Sequence, residues 1–131
     1  MSRPPRSIEV PGASHKAPIP AAARVGNILC TSAISGKDPA SGVLPAAVEA
    51  QAGHAFANLK AVLAAGGATL DDVVKFSVTL NDESVREAFN AQWSAAFPDP
   101  RDRPARHIVV SALQHGMHVQ IEVIAVIQAS S

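Results

Sequence analysis

Two residues of this chain have the types and settings needed to do chemistry on a small molecule. Arg106 stands at the head of an apolar run, in Arg103-Pro104-Ala105-Arg106-His107-Ile108-Val109-Val110, and Glu122 lies inside a second one, Val119-Gln120-Ile121-Glu122-Val123-Ile124-Ala125-Val126. A permanently charged fork can grip a carboxylate with two parallel hydrogen bonds, and a nearby carboxylate can accept or direct protons. Each residue type is also common on a solvated surface, so the elements that position them decide between the two readings. The other reactive residues have less support. His115-Gly116-Met117-His118 places two imidazoles in a turn with no obvious third ligand, so no metal site is expected. His107 faces either a cleft or solvent, and His54 falls in a helix as a structural or surface residue. Cys30 lacks a His or Asp partner at a recognisable spacing and is expected to be a small buried hydrophobe.

The elements follow from period and punctuation. Ala21–Arg24 and Ile28–Ser32 flank Val25-Gly26-Asn27, the pattern of a β-hairpin. A loop rich in Gly, Pro, Ser and Asp covers residues 36–45. From Ala46 to Ala65, Val48, Phe56, Leu59, Val62 and Leu63 fall at helical spacing; Pro45 suits the first turn and Gly66-Gly67 the stop. Val74, Phe76, Val78 and Leu80 alternate with Lys75, Ser77 and Thr79, predicting a strand with one face in a core. A second helix is expected from Ser84 to Phe97, with Ser84 and Glu87 as a capping box, Val85, Phe89 and Trp93 on one face, and Pro98 at its end. Strands His107–Leu113 and Val119–Ile127 complete the order β-β-α-β-α-β-β.

That order predicts an α+β fold: a single-layer mixed β-sheet with two helices packed on one face. In the last strand Val119, Ile121, Val123, Ala125 and Ile127 point one way, and Gln120, Glu122, Ile124 and Val126 the other. The helices cover only one of these faces, so Ile124 and Val126 would meet water unless another subunit covered them. An oligomer with Glu122 near its interface is the expectation.

Composition narrows the function classes. The 131 residues fit one domain, read here as residues 15–131 behind a flexible proline-containing leader at 1–14. Eleven basic and eleven acidic residues give a net charge of zero, so nothing favours a nucleic-acid or anionic-membrane partner. No Tyr, one Trp and four Phe leave few platforms for base stacking. A lone cysteine excludes an intrachain disulfide and fits a reducing compartment. No signal peptide or membrane-length apolar run is present, so a cytoplasmic protein is expected.

Arg24-Val25-Gly26-Asn27, Thr31-Ser32, Asp38-Pro39-Ala40-Ser41-Gly42, Gln51, Asn58-Leu59-Lys60-Ala61-Val62-Leu63, Asp71-Asp72-Val73-Val74-Lys75, Phe89-Asn90, Pro104-Ala105-Arg106 and Ile121-Glu122-Val123-Ile124-Ala125 follow in an order and spacing that resembles the Rid (reactive intermediate deaminase, YjgF) family over residues 15–127. The resemblance implies a chorismate-mutase-like fold, a homotrimer, and a cofactor-free site in each cleft between subunits. It implies hydrolysis of reactive enamines or imines to 2-oxo acids and ammonia. Arg106 would clamp the substrate carboxylate with the Ala33 N–H after Ser32; Glu122 would direct a water with the backbone carbonyl of Ile108; Asn90 would be the supporting amide.

Departures from the family pattern have a direction. Ala17-Pro18-Ile19-Pro20-Ala21-Ala22 stands where deaminases show Gly-Pro-Tyr-Ser-Gln-Ala, Ile108 where they show Cys, and Ala33-Ile34 where they show Gly-Gln. The cleft is therefore expected to be greasier and its substrate larger or more apolar. His15, near the lost Tyr, is a candidate replacement for its hydrogen bond. The alternative is a non-catalytic trimer that binds or senses small carboxylates; a nuclease or translation inhibitor fits the neutral charge poorly.

Overall fold

The computed structural model describes residues 3–11 and 17–128. His15 lies outside them. Strands β1 (Ser7–Ile8), β2 (Ala22–Val25), β3 (Ile28–Thr31), β4 (Ile34–Ser35), β5 (Val73–Leu80), β6 (Ala105–Val110) and β7 (Val119–Val126) form one sheet, and helices α1 (Val48–Ala65) and α2 (Arg86–Ala96) lie on one side of it. The sheet order is β1-β2-β3-β7-β5-β6, with β4 also pairing β7. Only β5–β6 is parallel, so the sheet is mixed as expected, and β7 lies at its centre.

The hairpin turns on Gly26, whose φ of +60° is open to a glycine at no steric cost. Helix α1 ends in a Schellman motif: Gly67, at φ +82°, donates to the Ala64 carbonyl, and Ala68 donates to that of Leu63. It begins at Val48 rather than Ala46, so Pro45 lies outside the first turn and its carbonyl accepts from Gln51 Nε2.

Between helices and sheet lies one core. Phe56, Leu59, Val62 and Leu63 of α1 and Phe89 and Trp93 of α2 meet Phe76, Val78, Leu80, Ile121 and Val123. All five aromatic residues of the chain belong to it: Phe76 stacks near Phe56 at 5.8 Å and meets Trp93 and Phe97 edge-on at 5.0 and 5.7 Å. Such pairs each contribute about 0.5–1.5 kcal/mol beyond area burial.

Several expectations are corrected. Val74 is 50% exposed, because a bulge between Val73 and Lys75 shifts the register and turns Val73 inward instead. A short 3₁₀ turn, Glu83–Val85, precedes α2, and Asp82 caps it by accepting from the Ser84 N–H; the Ser84–Glu87 capping box is not formed. Strand β6 starts two residues earlier than His107, so Arg106 is inside it. Part of the supposed leader is structured: Ser7–Ile8 pairs with β2, and Ile8 packs against the core. Cys30 is exposed, since Leu29 and Thr31 take the inward positions of β3. Among the described residues no helix is long and apolar enough to cross a membrane.

Gln51 is fully buried and ties the loop before β7 to α1. Its amide donates to the Pro45 and Gly116 carbonyls at 2.7 and 3.0 Å, and its oxygen accepts from His118 N–H at 2.7 Å. Gln51→Leu preserves bulk but strands those groups, and should cost about 1–3 kcal/mol or more. Val43→Ala, on a side chain 62% exposed, should stay within about 0.5 kcal/mol. Denaturant melts of both variants check this contrast.

Candidate active site

Register places a row of polar groups on the face the helices leave open. Ser77 of β5 is paired with His107 of β6 on one side and with Glu122 of β7 on the other. The next row is Val109, Thr79 and Gln120. Phe76, Val78 and Leu80 point into the core, so Ser77 and Thr79 must point out. Together with Ala33, from the segment after β3, these two rows line a pocket of about 290 Å³. Glu122 is the one acidic residue in its lining and His107 the one imidazole.

Arg106 lies on the opposite face. Its partner across the ladder is Phe76, which is paired in turn with Val123, and both of those are buried beneath the helices. The Arg106 guanidinium carbon sits 4.9 Å from the centre of the Trp93 ring and 5.6 Å from that of Phe89. Burial first, then the charges of Arg86 and Arg103, push its pKa down from the ordinary value, although a guanidinium keeps its charge throughout the physiological range. Arg86 is paired with Glu83, and Arg103 donates to the Phe97 carbonyl. No carboxylate among the described residues forms an ion pair with Arg106. A half-buried cation beside two other cations, with five donors and no acid paired to it among the described residues, has the chemistry an anion site needs.

The remaining candidates divide between these faces. Asn90 follows Phe89 on α2, and its side-chain oxygen is buried without a hydrogen-bond partner. Ile108 shares the Arg106 face and packs against the core, so its side chain does not line the Glu122 pocket. Ser32 spends its hydroxyl on the Pro20 carbonyl at 2.8 Å. Ile19 is 46% exposed and stands outside the pocket lining. Within one chain, then, Glu122, Ala33 and His107 are brought together; Arg106, Asn90 and Ile108 are gathered on the far side of the sheet.

The fold agrees with solved structures. RidA from the Antarctic bacterium Psychrobacter superposes with a TM-score of 0.85 at 37% identity, covering 93% of this chain and 99% of that one. A family model described as Endoribonuclease L-PSP matches residues 14–127. The chain belongs to the Rid/YjgF family. The 2-iminobutanoate/2-iminopropanoate deaminase of Escherichia coli K12 is 36% identical over 104 residues, 78% of this chain and 81% of the relative. Escherichia coli TdcF, solved with bound serine, superposes with a TM-score of 0.86 at 28% identity over 94% of this chain and 99% of that one.

Several residues that carry the Rid resemblance prove to hold the scaffold. Thr31 Oγ1 accepts from the Val123 N–H, and Asn58 donates to the Ser35 and Lys37 carbonyls. His118 is likewise committed: Nε2 lies 2.9 Å from the Ala46 carbonyl and Nδ1 3.2 Å from the Asn81 amide. Sequence reasoning missed Ser77, Thr79 and Gln120 as pocket residues. Their signal was present, because alternation in two strands with one covered face assigns them to the other. It also read Trp93 and Phe89 as core alone, when their outer surface carries Arg106.

Proposed function

We propose that this Rid-family protein hydrolyses reactive enamines and imines to 2-oxo acids and ammonia, without a metal, in clefts formed between copies of the chain. The observation that carries the reading is Arg106: a guanidinium laid on aromatic rings, unpaired with any acid among the described residues, in a chain 36% identical to a 2-iminobutanoate/2-iminopropanoate deaminase. The chemistry asks little of the protein, since an iminium carbon is already electrophilic. Water oxygen bonds to that carbon while Glu122 takes a water proton. Glu122 then returns its proton to the carbinolamine nitrogen. The C–N bond breaks with its electron pair on nitrogen as the C–OH oxygen becomes the carbonyl, and the hydroxyl proton leaves with the ammonia as ammonium, so the carboxylate is restored. Clamping the carboxylate holds the C=N carbon beside the water, and Glu122's proton transfer then raises the rate.

Opposite faces of one sheet cannot serve one small ligand. Arg106 and Glu122 therefore act together only if the open face of one copy meets the Arg106 edge of another. The open face invites this, with Ile28, Val74 and Ile124 between 42% and 51% exposed. A homotrimer closes such a contact without leaving free edges. Ala33 in the Glu122 pocket and exposed Ile19 stand where the family has Gly and Tyr, and favour a more apolar substrate side chain than those of 2-iminobutanoate and 2-iminopropanoate.

Three outcomes test the reading. Light scattering should give about three times the chain mass, and Ile124→Glu, which puts an unpaired charge into the covered patch, should dissociate the assembly. Arg106→Lys keeps the charge but loses the fork, so carboxylate ligands should bind about 10- to 100-fold more weakly with the trimer intact. Glu122→Gln should still bind carboxylates while releasing ammonia from freshly generated 2-imino acids at no more than about a hundredth of the parent rate. A parent that releases no ammonia above the spontaneous background on that panel overturns the deaminase and leaves a carboxylate-binding protein.

A further inference from the structure

We propose that Trp93 is a positioning residue for the Arg106 clamp, which makes the anion site of the reading above a guanidinium aimed by an aromatic shelf. The shelf is continuous, because the Trp93 and Phe89 rings lie 6.3 Å apart and only 32° from parallel. It is also fixed from behind. Trp93 meets Phe76 at 5.0 Å and Phe97 at 4.9 Å, Phe89 meets Phe56 at 5.5 Å, and Phe76 and Phe89 are fully buried. The Phe97 carbonyl is in turn held by Arg103 at 2.8 Å.

A free arginine side chain spends most of its time in rotamers that point elsewhere, and binding must order it. A ring face attracts the guanidinium electrostatically and leaves the N–H donors around its edge available for a planar carboxylate. Among the described residues no acid pairs with Arg106, and Arg86 and Arg103 repel it. The indole is the best of the ring partners for a cation, and this chain places its single Trp at that position.

The same placement supplies the measurement. With one Trp and no Tyr, near-ultraviolet emission comes from Trp93 alone. Titrating the intact protein with butanoate, a simple non-absorbing carboxylate, should change that emission saturably; butanamide, the same shape without the charge, should not. Calorimetry with butanoate should place Trp93→Phe within about threefold of the parent, because a ring face remains. Trp93→Leu should bind roughly 5- to 30-fold more weakly. In turnover that loss should appear as a raised KM with a much smaller change in kcat, a split that general loosening of the core would not give. If butanoate binds by calorimetry but leaves the emission unchanged, or if a folded Trp93→Leu binds with parent affinity, the proposal is overturned. Should Trp93→Leu fail to fold, the emission titration decides alone. Arg106→Ala separates the two levels: loss of butanoate binding there, with Trp93→Leu unaffected, sinks the shelf and spares the clamp, whereas unchanged binding in Arg106→Ala sinks both.

Discussion

The aromatic cluster between the two helices and the sheet is the constraint on which both core and site depend. The chain has only five aromatic side chains, and it places all of them in one contact network spanning α1, β5, α2 and the residue that follows α2. A small domain gains most from such concentration, because rigid rings bury large areas with few rotatable bonds to freeze. The cluster has an edge, however, where α2 ends its coverage of β6. There the ring faces of Trp93 and Phe89 would meet water, and Arg106 covers them. Packing and the proposed binding are thus joined: the charge that caps the hydrophobic core is the one proposed to hold the carboxylate.

The same geometry explains why the open face carries chemistry of a different kind. A strand offers alternate residues to alternate sides, so β5 and β7 cannot bury Phe76, Val78, Ile121 and Val123 without presenting Ser77, Thr79, Gln120 and Glu122 outward. Register then gathers these residues into rows beside His107. Apart from Ala33, strand residues alone line the pocket. Its polarity is the residue of a core requirement, and its depth depends on what covers the apolar side chains around it.

Much of this was legible in the chain. Alternation in Val119–Val126 assigned every residue of β7 to its observed face, and the helical stripe of α1 was read with nearly correct ends. The failures have local causes. The bulge at Val73–Lys75 reverses the side of Val74, and a bulge is set by strand pairing, which a single strand's pattern does not contain. Asp82 won the capping position from Ser84 because a 3₁₀ turn precedes α2, and that turn adds residues a simple helical period does not count. Cys30 was assigned by its usual preference for the interior, whereas its neighbours Leu29 and Thr31 fix its parity outward. The hardest feature was the side on which Arg106 lies. Strand β6 is at the sheet edge and only partly buried on either face, so its sequence gives no clear alternation. Only the parallel pairing with Phe76 reveals it.

That placement changes what assembly would mean for this family member. If Arg106 and Glu122 shared a face, a monomer could in principle hold substrate and direct water, and a trimer would merely protect apolar surface. With the two residues on opposite faces, the hydrogen-bonded backbone of the sheet lies between them, backed on the Arg106 side by buried Phe76 and Val123. No side chain crosses that layer without unpacking the core. Under the proposed roles, clamp and base would act on one molecule only when different copies supplied them, and activity would then depend on subunit concentration. In the assembly proposed above, one contact would cover the apolar Ile124 face and shield the unpaired backbone edge of β6 together.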